Sequence, residues 1–312
     1  MQAKIRAYES LATHYPSPNG KTDVDLAEAL YRTGAPAAAR ERLKKAAAVS
    51  GPNGARALLR LAEISDATGD RRAALTAYDT LLRDYPALPR QPESLLAHAR
   101  LLEEFGPAYR ARAALRAVAE NGRGEAAAEA AYRLGQMLSG EGQHREASEW
   151  YTRAATSAPG SKWERQALLG AGDAFTQLRD YRRAASAYDR LLQAPDAAMR
   201  AEATYRMGTI AHTEGRHRDA AGLYLQAAQL APGSPIEPRA LVGAVNCLVA
   251  AGDRKAADTA YQRLVQAPKA GPNDLAAART ALRVEPRPAS PETRSTIKEW
   301  RQVDESSASA QR

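Results

Sequence analysis

The segment from Ala128 to Val265 spells one pattern three times, and that repetition limits the chain more than any other feature in it. In each copy an apolar helix carries a central pair ending in Gly. A turn follows, and then a second helix with Ala and, four residues later, Tyr. The copies read Leu134-Gly135, Gly142, Ala147, Tyr151, Ala154 and Pro159; Ala171-Gly172, Ala184, Tyr188 and Leu191; and Met207-Gly208, Gly215, Ala220, Tyr224, Ala227 and Pro232. Each fixed position has a physical cause. Small residues on both helices mark close crossings, where a larger side chain would cost ~1–3 kcal/mol. The aromatic fills the wedge between neighbouring pairs. Glycine ahead of the second helix supplies a tight turn. Proline ends that helix because it has no N–H and clashes with the preceding turn. Self-similarity of this kind describes helix pairs stacked on their neighbours rather than one large core.

The copies continue outward. Leu26-Ala27, Gly34, Ala39, Leu43 and Ala46 mark one pair, and Leu61-Ala62, Gly69, Ala74, Tyr78, Leu81 and Pro86 the next. A last pair has Gly252, Ala257, Tyr261 and Leu264. Residues 20–270 therefore read as seven helix pairs, with 92–127 degenerate. There Gly106 holds the turn phase, but Pro107 follows it, Leu115 replaces the Tyr, and the loop Asn121–Glu125 replaces the closing Pro. At the turn of the fifth pair Arg179 stands where glycine is expected. Ser161 with Glu164, and Ser234 with Glu237, are spaced as capping boxes, and Pro235 suits the first helical position. Residues 1–19, with Tyr8, Leu11 and Pro16 in phase, read as the second helix of a truncated repeat. Residues 271–284 read as a helix capping the array. Residues 285–312 read as a proline-rich linker and a largely disordered tail, with a short helix placing Ile297, Trp300 and Val303 on one face.

Together these positions resemble the tetratricopeptide repeat (TPR) family: Leu-Gly early, Ala then an aromatic, Ala three further on, Pro at the end. The period here is slightly longer than the usual ~34 residues. The resemblance covers residues 20–270. It implies an all-α fold, a right-handed superhelical solenoid of antiparallel helix pairs, and a non-enzymatic scaffold or adaptor role. In TPR proteins the first helices line the concave face, which places Tyr132, Gln136, Ser139, Gln166, Asp173, Gln177, Tyr205, Thr209, His212, Arg239 and Asn246 there. That mixture of aromatic and hydrogen-bonding groups suits an extended peptide or a partner helix. Packing between repeats accounts equally well for Tyr132 and Tyr205. The Lys/Asn constellation by which chaperone-binding TPRs clamp a C-terminal carboxylate is not evident, since the matching positions hold Tyr132 and Gln136, or Leu169 and Asp173. Tyr-x-x-Leu followed by Tyr-Pro, at Tyr78–Pro86 and Tyr8–Pro16, is similar in style to repeats of bacterial envelope proteins, the Tol-Pal-associated periplasmic protein and the β-barrel assembly lipoprotein.

Charge raises a second surface. The net charge is +8, and the basic residues are mostly Arg in an Ala-rich chain, a composition that fits GC-rich bacterial coding. Arg71, Arg72, Arg145, Arg182, Arg183, Arg216, Arg218, Arg254 and Lys255 recur where second helices start, against the positive end of the helix dipole. As a basic edge they would suit an acidic protein or anionic headgroups; coding bias on solvated turns explains them as well. Nucleic acid is disfavoured, because the tyrosines hold packing phases instead of interleaving with the arginines. Cys247 is the only cysteine, so no intrachain disulfide forms, and its apolar surroundings read as a small buried hydrophobe. His212 and His217 straddle a turn, which is not the one-face spacing of a helical metal site, so no metal is expected. Gly170 in GAGDAF falls inside a first helix, where close packing explains it better than a phosphate loop. No catalytic arrangement, cofactor or small-molecule substrate is expected. No apolar run is long enough to span a membrane. The chain opens mid-repeat without a signal-peptide core, so a targeting signal would lie upstream; the periplasm or envelope is favoured and the cytoplasm stays open. The reading is a protein-interaction scaffold of a bacterial, envelope-type assembly. The alternatives are a helical repeat binding nucleic acid or an anionic surface, and the TPR part of a larger enzyme or secretion protein.

Overall fold

The computed structural model describes residue 10, residues 20–87 and residues 91–283. The expectations for the rest of 1–19 and for the linker, tail and Trp300 helix lie outside the described residues. Among the described residues every regular element is an α-helix, as expected, and there are fifteen elements of regular helix from Lys21 onward. They run α1 (Lys21–Arg32), α2 (Pro36–Ala47), α3 (Pro52–Ala67), α4 (Arg71–Asp84), α5 (Pro92–Phe105), α6 (Ala108–Asn121), α7 (Gly124–Gly140), α8 (His144–Ser157), α9 (Lys162–Gln177), α10 (Tyr181–Leu191), α11 (Ala197–Thr213), α12 (His217–Leu230), α13 (Ile236–Ala250), α14 (Arg254–Gln266) and α15 (Pro272–Arg283).

The chain divides into two compact units between Gly170 and Ala171, inside α9. In the first unit α1 packs on α2, α3 on α4, α5 on α6 and α7 on α8. In the second, α11 packs on α12 and α13 on α14, and α15 lies on α13 and α14. Each core is thin and rich in alanine. Ala147, Ala154, Ala220 and Ala227 are fully buried, as are Leu134, Tyr188 and Leu241 nearly or completely.

The tyrosines explain the glycines more closely than helix crossing does. A Cβ on Gly135 would lie 2.8 Å from the ring of Tyr151, and one on Gly172 would lie 2.3 Å from the ring of Tyr188. Tyr151 is also covered by Gly170, whose added Cβ would come within 2.7 Å of it. Tyr224 lies likewise between Gly208 and Gly243. The missing side chains thus make slots for aromatic rings, because a methyl group would overlap a ring that has nowhere to move. Close packing is therefore the explanation for GAGDAF.

Turns follow backbone chemistry. Gly34, Gly69, Gly142, Gly215 and Gly252 all take positive φ ahead of a second helix. Arg179 takes φ 59°, the only positive value at a non-glycine among the described residues. Gly106 departs from the series, with φ −102° and ψ 172°. Proline at 107 excludes the helical region for the residue before it, so this turn is extended. Asp70, Asp180 and Asp253 cap second helices by accepting from the backbone N–H three residues on. The expected capping boxes form with a shift: Ser161 Oγ accepts from Glu164 N at 3.2 Å, but Glu164 accepts from Gly160 N at 2.6 Å. In the second box Glu237 accepts from Gly233 N at 2.6 Å. Pro235 directly precedes Ile236–Ala250 and already has helical angles, φ −63° and ψ −16°, and Ser234 accepts from Ile236 N two residues on, as a capping side chain does, which suits proline at the first helical position.

Candidate functional site

First helices of consecutive pairs also touch one another, α1 with α3, α5 with α7, and α11 with α13. Their common side carries opposite charges in register, which pair across the gap. In the first unit Arg60 of α3 donates to Glu28 of α1 at 2.7 Å and also pairs with Glu63. Arg100 of α5 donates to Glu129 of α7 at 2.6 Å. Arg133 of α7 donates to Glu129 at 2.7 Å and reaches back to Glu103 of α5 at 3.2 Å. In the second unit Arg206 Nε lies 3.3 Å from Asp173 and 3.0 Å from Glu202, at ion-pair distance without hydrogen-bond alignment. Glu202 lies 3.9 Å from Arg239. Glu129 is only 4 % exposed. Burial opposes its ionisation, but hydrogen bonds and charge from Arg100 and Arg133 outweigh that and hold its carboxyl below the usual range. Burial pushes the Glu103 carboxyl up against the pull of Arg133. Sequence reasoning missed this ladder, although Arg and Glu recurring at the repeat period on first helices was the signal for it.

The residues expected on the concave face all lie on first helices. Tyr132 is half-buried, its ring 5.8 Å from that of Tyr151 and 5.7 Å from that of Trp163, and Gln136 donates to its hydroxyl at 2.9 Å. Tyr205 is similar, 5.2 Å from the Tyr224 ring with the Arg239 guanidinium 4.7 Å over its face. Asp173 accepts from the Tyr188 hydroxyl at 2.6 Å, and Tyr224 donates to Thr209 at 3.2 Å. Burial, then the Asp173 charge, raises the pKa of Tyr188. Ser139 is half-buried. Gln166 is half-buried too, with its carbonyl oxygen unpaired. Gln177, His212, Arg239 and Asn246 are exposed.

The basic edge is largely tied down. Arg71 pairs with Asp66 and Glu104, and it and Arg72 lie over the Phe105 ring. Arg183 pairs with Asp180 at 2.5 Å and covers Phe175. Arg216 pairs with Glu214 at 2.5 Å and Asp219 at 3.3 Å. Arg254 donates to the Leu282 carbonyl. Arg145, Arg182, Arg218 and Lys255 are exposed.

Spacing along the chain did not anticipate one convergence of side chains. His212 and His217 do meet: their rings are 5.4 Å apart, and Cys247 Sγ is 3.3 Å from His212 Nδ1. The turn at Gly215 folds the start of α12 back on the end of α11, which helix periodicity alone does not anticipate. Cys247 is buried as expected, and burial pushes its thiol up to about 11.

Comparison with known proteins gives the family. Two sequence profiles, each described as the tetratricopeptide repeat, match residues 24–89 and 169–235, and residues 128–161. No curated protein matches the chain in sequence. The C-terminal part of a TPR repeat-containing protein from Cytophaga hutchinsonii superposes with a TM-score of 0.62 at 15% identity, over 81% of this chain and 98% of that one. A tetratricopeptide repeat protein from Parabacteroides merdae gives 0.48 at 15% identity, over 85% of this chain and 100% of that one. The first of these likenesses shows a shared fold. With the repeat profiles together matching more than half of the residues, and with Gly135, Gly172 and Gly208 inside the matched segments making slots for second-helix tyrosines, the chain belongs to the tetratricopeptide repeat family.

Proposed function

We propose that this chain is a non-enzymatic scaffold in a bacterial multiprotein assembly of the cell envelope, and that its first-helix face binds an extended peptide or a helix. Tetratricopeptide repeats are a protein-interaction module, which supports a protein partner. One observation carries the choice of face. At one register of each first helix, following a buried residue that is Ala or Gly in six helices and Val245 in the last, stands a polar one: Glu28, Glu63, Arg100, Gln136, Asp173, Thr209 and Asn246. None of these seven is buried, whereas the residue before each of them is. Within each unit, hydrogen-bonding groups at this register, of which Glu28, Glu63, Arg100 and Asp173 also belong to the Arg–acid ladder, can meet the main-chain N–H and C=O groups of a peptide. The basic edge is the weaker candidate, because acids beside Arg71, Arg183 and Arg216 neutralise much of it. The repeat style at Tyr78–Pro86 supports the envelope.

Site-specific photo-crosslinking tests the face. A crosslinking amino acid placed at Gln136 or Asn246, both exposed, should give a defined protein adduct in bacterial envelope extracts that persists at high salt. The same probe at Arg145 or Arg218 should give none. Adducts arising only from Arg145 or Arg218, and lost at high salt where exposed charges are screened, would overturn the proposal.

A further inference from the structure

His212, His217 and Cys247 bring three soft donors together at one point of the second unit, and we propose that they form a binding site for a thiophilic transition-metal ion, Zn2+ or Cu+. One donor atom of each residue lies within 4.8 Å of the other two. In a bound site, with metal–nitrogen near ~2.0 Å and metal–sulfur near ~2.3 Å, such donors approach somewhat more closely, so modest side-chain rotation completes the geometry. Two imidazoles and a thiolate select Zn2+ or Cu+ over Ca2+ or Mg2+, which require oxygen ligands.

The fold presents these donors from three places. His212 stands in the last turn of α11, and His217 is the first residue of α12. The connection is a tight turn in which Gly215 N donates to His212 O at 3.0 Å and Arg216 N to Ala211 O at 2.9 Å. Cys247 comes from α13, in the following helix pair, where it is 1 % exposed. A thiol–imidazole hydrogen bond explains the 3.3 Å contact between Cys247 and His212 without a metal. It does not explain His217, whose Nδ1 is buried and has no hydrogen-bond partner. Nδ1 of His144, at the start of α8, is also buried without a partner; what sets His217 apart is that it converges with His212 and Cys247. Of the two arginines that flank His217, Arg216 is paired with both Glu214 and Asp219, and Arg218 is exposed, where solvent screens its charge. His212 is exposed, which gives an ion access and leaves a fourth position for water or a partner's side chain.

Binding forms a metal–sulfur bond, breaks the Cys247 S–H bond and releases that proton to solvent; no electron changes hands. The ion clamps the turn between α11 and α12 to α13, joining two consecutive repeats.

The test uses the full chain without a histidine tag. After loading with Zn2+ or Cu+ and gel filtration, elemental analysis should find one ion per chain, and the ion should raise the melting temperature. Co2+ in its place should give a sulfur-to-cobalt charge-transfer band. Cys247→Ala should abolish that band, and His212→Gln and His217→Gln should each weaken retention at least about tenfold. Should Cys247→Ala fail to fold, the two histidine variants, which alter an exposed and a half-buried side chain, give the same reading. Retention of neither Zn2+ nor Cu+ overturns the proposal. So does binding that all the folded variants leave unchanged.

Discussion

At Gly172 an added methyl group would sit 2.3 Å from the Tyr188 ring, which is itself 1 % exposed and hydrogen-bonded to Asp173. Gly172→Ala should therefore destabilise by about 1–3 kcal/mol through overpacking. Gly140 ends α7 with nothing within 4 Å of its Cβ position and no positive φ. There alanine should stabilise by about 0.5–1 kcal/mol, because it reduces the freedom of the unfolded chain alone. Denaturant melts of the two variants should move in opposite directions, and equal shifts would contradict the slot assignment. Arg179 supplies the reverse case. It holds φ 59°, a conformation that L-residues adopt at a cost of ~1–2 kcal/mol. Arg179→Gly should raise stability by up to about 1 kcal/mol, read as a higher denaturant midpoint with unchanged slope. A lower midpoint would mean that the arginine makes compensating contacts.

Among the elements, α6 differs from its counterparts. Its turn is extended at Gly106, its cap position is Pro107 with no side-chain acceptor, and Leu115 stands where α8 has Tyr151. α8 likewise has no side-chain acceptor at its cap position Gln143, so the extended turn and the missing ring are what set α6 apart from it. In stacked repeats stability is set locally by each pair and its neighbours. Amides of residues 111–119 should accordingly exchange with solvent faster than those of 147–155 under native conditions. Slower exchange across 111–119 would show that the ion pairs Arg112–Glu141 and Arg116–Glu146 hold α6 better than its extended turn and missing ring suggest. Elements were also where the sequence was most legible. Boundaries followed from Gly, Pro and Ser/Asp signals because each acts on its own backbone. The Gly106 turn departs from the series in conformation because its backbone depends on the next residue, Pro107.

For the whole molecule, charge couples to acid stability. The Glu129 carboxyl is held below the usual range, against its burial, by Arg100 and Arg133. Asp79 is held low in the same way, burial opposing and Arg110 and His98 prevailing. A carboxyl with a depressed folded-state pKa contributes stability that is complete above its unfolded value, near ~4.3 for Glu, and is lost as pH falls through the folded value. Stability should thus drop below about pH 4. Glu129→Gln should cost about 1–2 kcal/mol at neutral pH, because Arg100 and Arg133 keep much of their solvation. It should also flatten the acid limb of a melting-temperature profile; an unchanged limb would place the acid sensitivity elsewhere. The sequence by itself determined the all-α class, the repeat, its phase and the buried alanines and tyrosines, since each follows from periodicity and local backbone chemistry. Only the tertiary structure decided which side chains from different repeats meet. The Arg–acid ladder joins residues about one repeat apart, and His212, His217 and Cys247 converge from two helix pairs. Such contacts depend on how one helix pair is set against the next, an angle and offset that no spacing along the chain specifies.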